Sequence, residues 1–284
     1  MMMENIKGVA QCASLVKARI AKRQSFGAAV LTRVPRATAF GPAGAKTSTP
    51  ADSTSPTKEL DAIVLANTLI GYGENITLEN MAIIENLIKF SKLEASYEVP
   101  GNDPEKWYHA FLQCMDDLGC FIADSGYTVY EKSSKSLTMD NVVVDIVKSG
   151  VDAAKAAIPG ATALSAIAES TVDALKKEPE AINLYNREVT KDRGVRAAIM
   201  PCDQLANGII LSSLSSIDSA GSEGGFSPLF FDWKTSGRRI FRGSAYMTFN
   251  PLRYSGVKKE IEGYLGEHFM AALSARFDRR KNNK

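Results

Sequence analysis

Histidine is almost missing: His109 and His268 are the only two in 284 residues, so a histidine-based metal cage or catalytic triad has little to draw on. Cysteine is scarce as well. Cys12, Cys114, Cys120 and Cys202 are too scattered for a disulfide framework in a chain of this length. Cys114 and Cys120, with five residues between them, fit no common zinc spacing, and the four are expected to be reduced, mostly buried thiols. No apolar run reaches the roughly 18 to 20 residues that a membrane-spanning helix needs, and the mean hydropathy is −0.12. The sequence contains no G-x-S-x-G elbow, no G-x-x-x-x-G-K-S/T loop and no G-x-G-x-x-G after a strand. The start, MMMENIKGVAQ, has no apolar core of a secretory signal, and no internal repeat is visible. These absences lead to the expectation of a protein that is not an enzyme, carries no cofactor or metal, and has no standard secretory leader.

What is present is a chain that is 45% hydrophobic and 23% charged, enough to build a substantial core. Its net charge of +2 is unevenly spread. Lys7, Lys17, Arg19, Lys22, Arg23, Arg33, Arg36 and Lys46 face only Glu4 in the first 50 residues, so the remainder is acidic on balance. Neither part has the Lys/Arg stripe that duplex nucleic acid demands, and no nucleic-acid partner is expected.

Between residues 4 and 23, Ile6, Val9, Ala13, Val16 and Ile20 recur at steps of three and four, which predicts a basic amphipathic helix. Such a helix suits an anionic membrane, an organelle presequence or an export address, or simply docks on the body. Pro35, Pro42, Pro50 and Pro56 among Gly, Ala, Ser and Thr then read as a linker. The expected division is a leader and linker over 1–58, a mainly helical region over 59–180, and a β-rich region with a final helix over 181–284.

Helices are expected over 58–69, from Thr77 to before Pro100, from Asp103–Pro104 to Gly119, and from Thr138 onward. An extended stretch is expected at 126–132. Alternating or β-branched runs predict strands at 195–200, 207–217, 228–233 and 239–249, with a hairpin connection at 234–238 and a loop at 221–225. A helix is expected over 256–273, with Val257, Ile261, Leu265, Phe269 and Leu273 inward. Helices followed by strands give an α+β class with an antiparallel sheet or sandwich.

Ala156 to Ala168, AAIPGATALSAIA, carries no charge and is broken by Pro159–Gly160. The segment 141–177 therefore reads as two amphipathic helices joined at a small-residue tip. Packed inside the fold, such a pair is ordinary helix packing; released, it is a hairpin able to enter a bilayer. Val151, Ile158, Pro159, Gly160, Leu164 and Ile167 are the candidate insertion residues. Trp233, Tyr246 and Tyr254, if exposed, are candidates for contact with lipid headgroups or sugars. Two functions follow as expectations: a pore-forming or toxin-type protein whose partner is a lipid membrane, and a self-assembling structural or binding protein whose N-terminal segment docks on a neighbouring subunit of a homo-oligomer. His268, beside Glu267, and the pair Asp116–Asp117 are expected on solvated surfaces.

Overall fold

Asp103 starts its helix as its chemistry requires: the side chain accepts from the Lys106 N–H at 3.0 Å, with Pro104 at the first helical position. Gly119, at φ +93°, stops it, and its N–H closes on the Asp116 carbonyl at 2.9 Å. The computed structural model describes residues 8–25, 37–40, 62–65, 67–100, 103–130, 145, 162–191, 195–220 and 239–282. The expected linker apart from 37–40, the strand at 228–233 with the connection and loop beside it, and the hairpin apart from 145 and 162–177 lie outside the described residues.

The chain divides into two units, each assembled from separated stretches. One comprises Met1–Pro35, Glu79–Ile122 and Thr248–Lys284 and is mainly helical where described. Its elements are α1 (Val9–Ser25), α2 (Leu78–Glu98), α3 (Pro104–Asp117), a 3-10 helix (Pro251–Gly256) and the last helix, Lys258–Asn282, called α6 below. Residues 1–58 were expected as leader and linker, with the folded body beginning near Glu59. Yet α1 packs against α3, the 3-10 helix and α6, and buries Cys12 and Val16. Within α3, Trp107 stacks on Phe111 at 5.6 Å and donates through Nε1 to Ser96 Oγ on α2 at 3.1 Å.

The other unit, Arg36–Leu78 with Ala123–Met247, is built on a seven-stranded sheet. Its strands are β1 (Ala37–Phe40), β2 (Ala62–Leu65), β3 (Thr68–Tyr72), β4 (Phe121–Val129), β5 (Val195–Gln204), β6 (Ile210–Ala220) and β7 (Arg239–Phe249), in the order β1-β2-β3-β5-β6-β7-β4. Pairing is antiparallel for β1–β2, β2–β3 and β5–β6. It is parallel for β3–β5, with Leu69 opposite Ile199, so the sheet is mixed rather than wholly antiparallel. At the far edge Tyr127 of β4 stacks on Phe241 of β7 at 6.0 Å. Helices α4 (Thr162–Lys177) and α5 (Pro179–Lys191) pack against each other and over β2 and β5, and α4 also over β3.

The class is α+β, as its sequence implies. The helix expected over 58–69 is instead the β2–β3 hairpin, with Ile63 opposite Ile70. Ala62 to Leu65 and Thr68 to Tyr72 are buried on both faces of the sheet, so the apolar run is continuous and carries no period that separates a buried strand from a buried helix. β1 likewise lies where only linker was expected.

Candidate functional site

Of the expected insertion residues, Val151, Ile158, Pro159 and Gly160 lie outside the described residues, as does Trp233. Leu164 and Ile167 are on α4. Leu164 is fully buried, and with Ala168, Val172 and Leu175 it forms the helix face that meets Ala62, Val64, Leu69, Ile199 and Leu211 of the sheet; Ile167 packs half-buried at its edge. The recurrence 164, 168, 172, 175 is the helical period seen from the sheet. Tyr246 and Tyr254 do not meet the condition of exposure, at 5% and 2%. Tyr246 belongs to the same apolar cluster as Leu164. Tyr254 accepts from Asn86 Nδ2 at 3.1 Å and lies 3.4 Å from Glu262 Oε1, and burial, outweighing the Asn86 hydrogen bond, pushes its phenol up to about 12.

The layer in which α4 and α5 meet the sheet has two unusual properties. The first is closeness. A Cβ at Gly71 of β3 would overlap Thr171 Oγ1 and stand 2.9 Å from Thr171 Cβ and 3.2 Å from Ile167 Cγ2, so only a glycine lets α4 approach this strand so closely. Thr171 keeps its hydroxyl satisfied within the helix, donating to the Ile167 carbonyl at 2.5 Å. The second property is unmet polarity. Along β6, Leu211, Ser213, Ser215 and Ile217 alternate onto the face under the helices, because Leu211 and Ile217 are members of the cluster that contains α4 and α5. The hydroxyls of Ser213 and Ser215, of Tyr185 on α5 and of Tyr246 on β7 are all buried with no hydrogen-bond partner among the described residues. Burial alone drives the Tyr185 phenol far up, and the Tyr246 phenol up to about 12, so both stay neutral.

In the helical unit the polar chemistry converges on Glu94. This carboxylate, on α2, has no exposed side-chain surface. Arg23 Nε reaches its Oε2 at 3.3 Å, Arg19 Nη1 stands 3.9 Å from the same oxygen, and the Tyr264 hydroxyl of α6 donates to Oε1 at 3.1 Å. Arg19 also donates twice to Asp117 Oδ2, from Nε at 3.0 Å and Nη2 at 2.5 Å, and reaches Glu98 at 3.4 Å. Burial would lower the Arg19 pKa, but the hydrogen bond and charge of Asp117 and the charge of Glu94 help to raise it above its ordinary value, so the guanidinium remains charged. Asp117 is thus a buried ion-pair partner rather than a solvated acid. His268, expected at the surface, is half-buried, edge-on to Tyr264 at 4.5 Å and 5.8 Å from Tyr97.

Sequence reasoning missed this cluster, although its halves are visible. Arg19 and Arg23 on α1 form a basic i,i+4 pair, and Glu94 and Glu98 on α2 an acidic one, each lining one helix face; nothing local says that the two faces meet. His109 is exposed while Cys114, on the same helix, is buried, so they do not form a nucleophile pair. All four cysteines are buried and outside any disulfide; burial pushes Cys114 and Cys202 up to about 12, which removes thiolate reactivity. Among the described residues no three His, Cys, Asp or Glu side chains stand close enough to hold a metal ion, and no helix is long and apolar enough to cross a membrane.

No family model and no protein of curated function matches the chain. Among solved structures, one described as "Structure of the Evf virulence factor" is similar over 71% of this chain and 78% of its own, at 12% identity and a TM-score of 0.34.

Proposed function

We propose that this is a non-catalytic, membrane-active protein of the toxin type, in which α4, together with the segment that precedes it, leaves the sheet and enters a lipid bilayer. The observation that supports this reading is the seat of α4. Four hydroxyls of the layer that α4 shares with α5 and the sheet, those of Ser213, Ser215, Tyr185 and Tyr246, are buried with no hydrogen-bond partner among the described residues, each at a cost of about 1–3 kcal/mol, against a net stability for an ordinary domain of only about 5–15 kcal/mol. The layer is therefore weaker than its apolar area implies, as a soluble form that later converts requires. Once undocked, α4 offers a bilayer Leu164, Ile167, Ala168, Val172 and Leu175 along one edge, and Lys176 and Lys177 at its end for anionic headgroups. Helix α4 alone is not long and apolar enough to span, so its own mode is interfacial; a deeper hairpin would require residues 141–161 as well.

The reading is tested by dye release from vesicles of mixed anionic and neutral lipid at micromolar protein between pH 5 and 7.5, with size exclusion of the same sample. Release is the expected result. No release at any pH, from protein shown to be folded, overturns it.

A second reading, self-assembly, is favoured by a different observation: Phe269 and Met270 are adjacent on α6 and 56% and 58% exposed, an apolar pair more in keeping with a protein contact than with water. A lipid-independent oligomer that dissociates on Phe269→Ser with Met270→Ser would support it.

A further inference from the structure

We propose that the outward side of α6 is a self-complementary dimer surface, on which the α6 of a second copy lies antiparallel, with Phe269 against position 273 and Glu262 against position 280 of that copy. The inference deepens the self-assembly reading and rests on it, naming the partner and the register.

Helix α6 has two apolar sides. Ile261, Tyr264 and Leu265 are buried and, at about 100° per residue, fall on one inward side. The run Val257, Ile261, Leu265, Phe269, Leu273 was expected to stay inward, but each step of four turns the stripe by about 40°. It has turned outward by Phe269, which with Met270 is 56% and 58% exposed. By the same spacing positions 269, 270, 273 and 277, all apolar, lie within an arc of about 100°, rotated by roughly 140° from the buried side. Glu262, Gly263 and Gly266 lie on or beside the same arc toward the start of the helix. All three are exposed, and a Cβ added at either glycine would meet nothing within 4 Å.

The arc carries opposite charges at its two ends. Glu262 stands near its start, with one carboxylate oxygen 3.4 Å from the Tyr254 hydroxyl, whereas Arg280 and Lys281 stand near its finish. Two copies laid parallel would set like charges against each other; laid antiparallel, they join unlike charges. With the two-fold axis beside position 271, Phe269 meets position 273 of the second copy, and Glu262 meets position 280. The members of each pair lie on the same side of the arc, and symmetry makes every contact twice. Gly266 then falls opposite the turn that holds position 277, so the open space over the glycine admits a large side chain and lets the helices approach closely. The paired stretch, 262–280, is about 27 Å long at 1.5 Å per residue. An anionic bilayer suits the cations and the exposed Phe269 and Met270, but it is repelled by Glu262 within the arc and gains nothing from the two glycines.

The test is sedimentation velocity of the full chain, without lipid, from low to high micromolar protein. A dimer is the expected result. Glu262→Arg and Arg280→Glu, each confirmed folded by circular dichroism, are each expected to weaken the dimer about tenfold, because one reversal sets two like-charged pairs into a single interface. Both reversals in one chain are expected to bring the dimer back to within about threefold of the parent, since the pair is restored with its signs exchanged. A dimer indifferent to either reversal, or not recovered by the double variant, overturns this surface and leaves self-assembly standing. A chain that is monomeric throughout, including one that gathers only on added anionic vesicles, overturns both.

Discussion

The Tyr264 hydroxyl donates to Glu94 Oε1 at 3.1 Å, joining residues 170 positions apart, while Arg23 holds Oε2 of the same carboxylate. Glu94→Gln leaves Arg19 and Arg23 facing each other without their shared counter-charge, so it is expected to cost about 3–5 kcal/mol, as removal of one partner of a buried ion pair does. Glu98→Gln, at a side chain 47% exposed, is expected to cost under about 1 kcal/mol. Urea midpoints of the two variants check the contrast; equal costs would mean that Glu94 is solvated.

Gly71→Ala drives a methyl into Thr171. The expected loss is about 1–3 kcal/mol or more, and it should shrink in a Thr171→Ala background, where the overlapping oxygen is gone but Cβ remains 2.9 Å away. A double-mutant cycle by thermal unfolding measures that coupling, and additivity would contradict the close seat.

Removing an unpaired hydroxyl should not hurt. Tyr185→Phe and Ser215→Ala are expected to leave stability unchanged or to raise it by about 1 kcal/mol, because each deletes a buried polar group that no hydrogen bond among the described residues satisfies. Denaturant unfolding decides; a loss of about 1 kcal/mol in either variant would mean that the hydroxyl is hydrogen-bonded in solution.

Asp103→Ala is expected to cost about 1 kcal/mol through loss of the hydrogen bond from the Lys106 N–H. Asp103→Asn should restore most of it, since either side chain can cap. Denaturation midpoints of the two variants provide the check.

Legibility followed locality. Asp103 and Pro104 announce α3 because capping is decided within four residues, and β7 is readable over 239–249 because Phe241, Ala245, Met247 and Phe249 alternate. Helix α5 has a local start signal, Pro179 followed by Glu180. β2 and β3 are not legible as strands because a strand buried on both faces has no period. The parallel pairing of Leu69 with Ile199 and the meeting of Arg23 with Glu94 are non-local, and spacing along the chain cannot reveal them. The hydroxyls of Ser213 and Ser215 read as ordinary strand polarity; only burial makes them costly.

The most direct measurement is the rate of dye release from anionic vesicles for the parent chain, for Tyr185→Phe with Ser215→Ala, and for Gly71→Ala, each first shown to be folded. Undocking of α4 as the step that admits the protein to the bilayer predicts an order: slowest when the unpaired hydroxyls are removed, faster in the parent, fastest when Gly71 crowds Thr171. Equal rates in all three, or the reverse order, would contradict the release of α4 from its sheet.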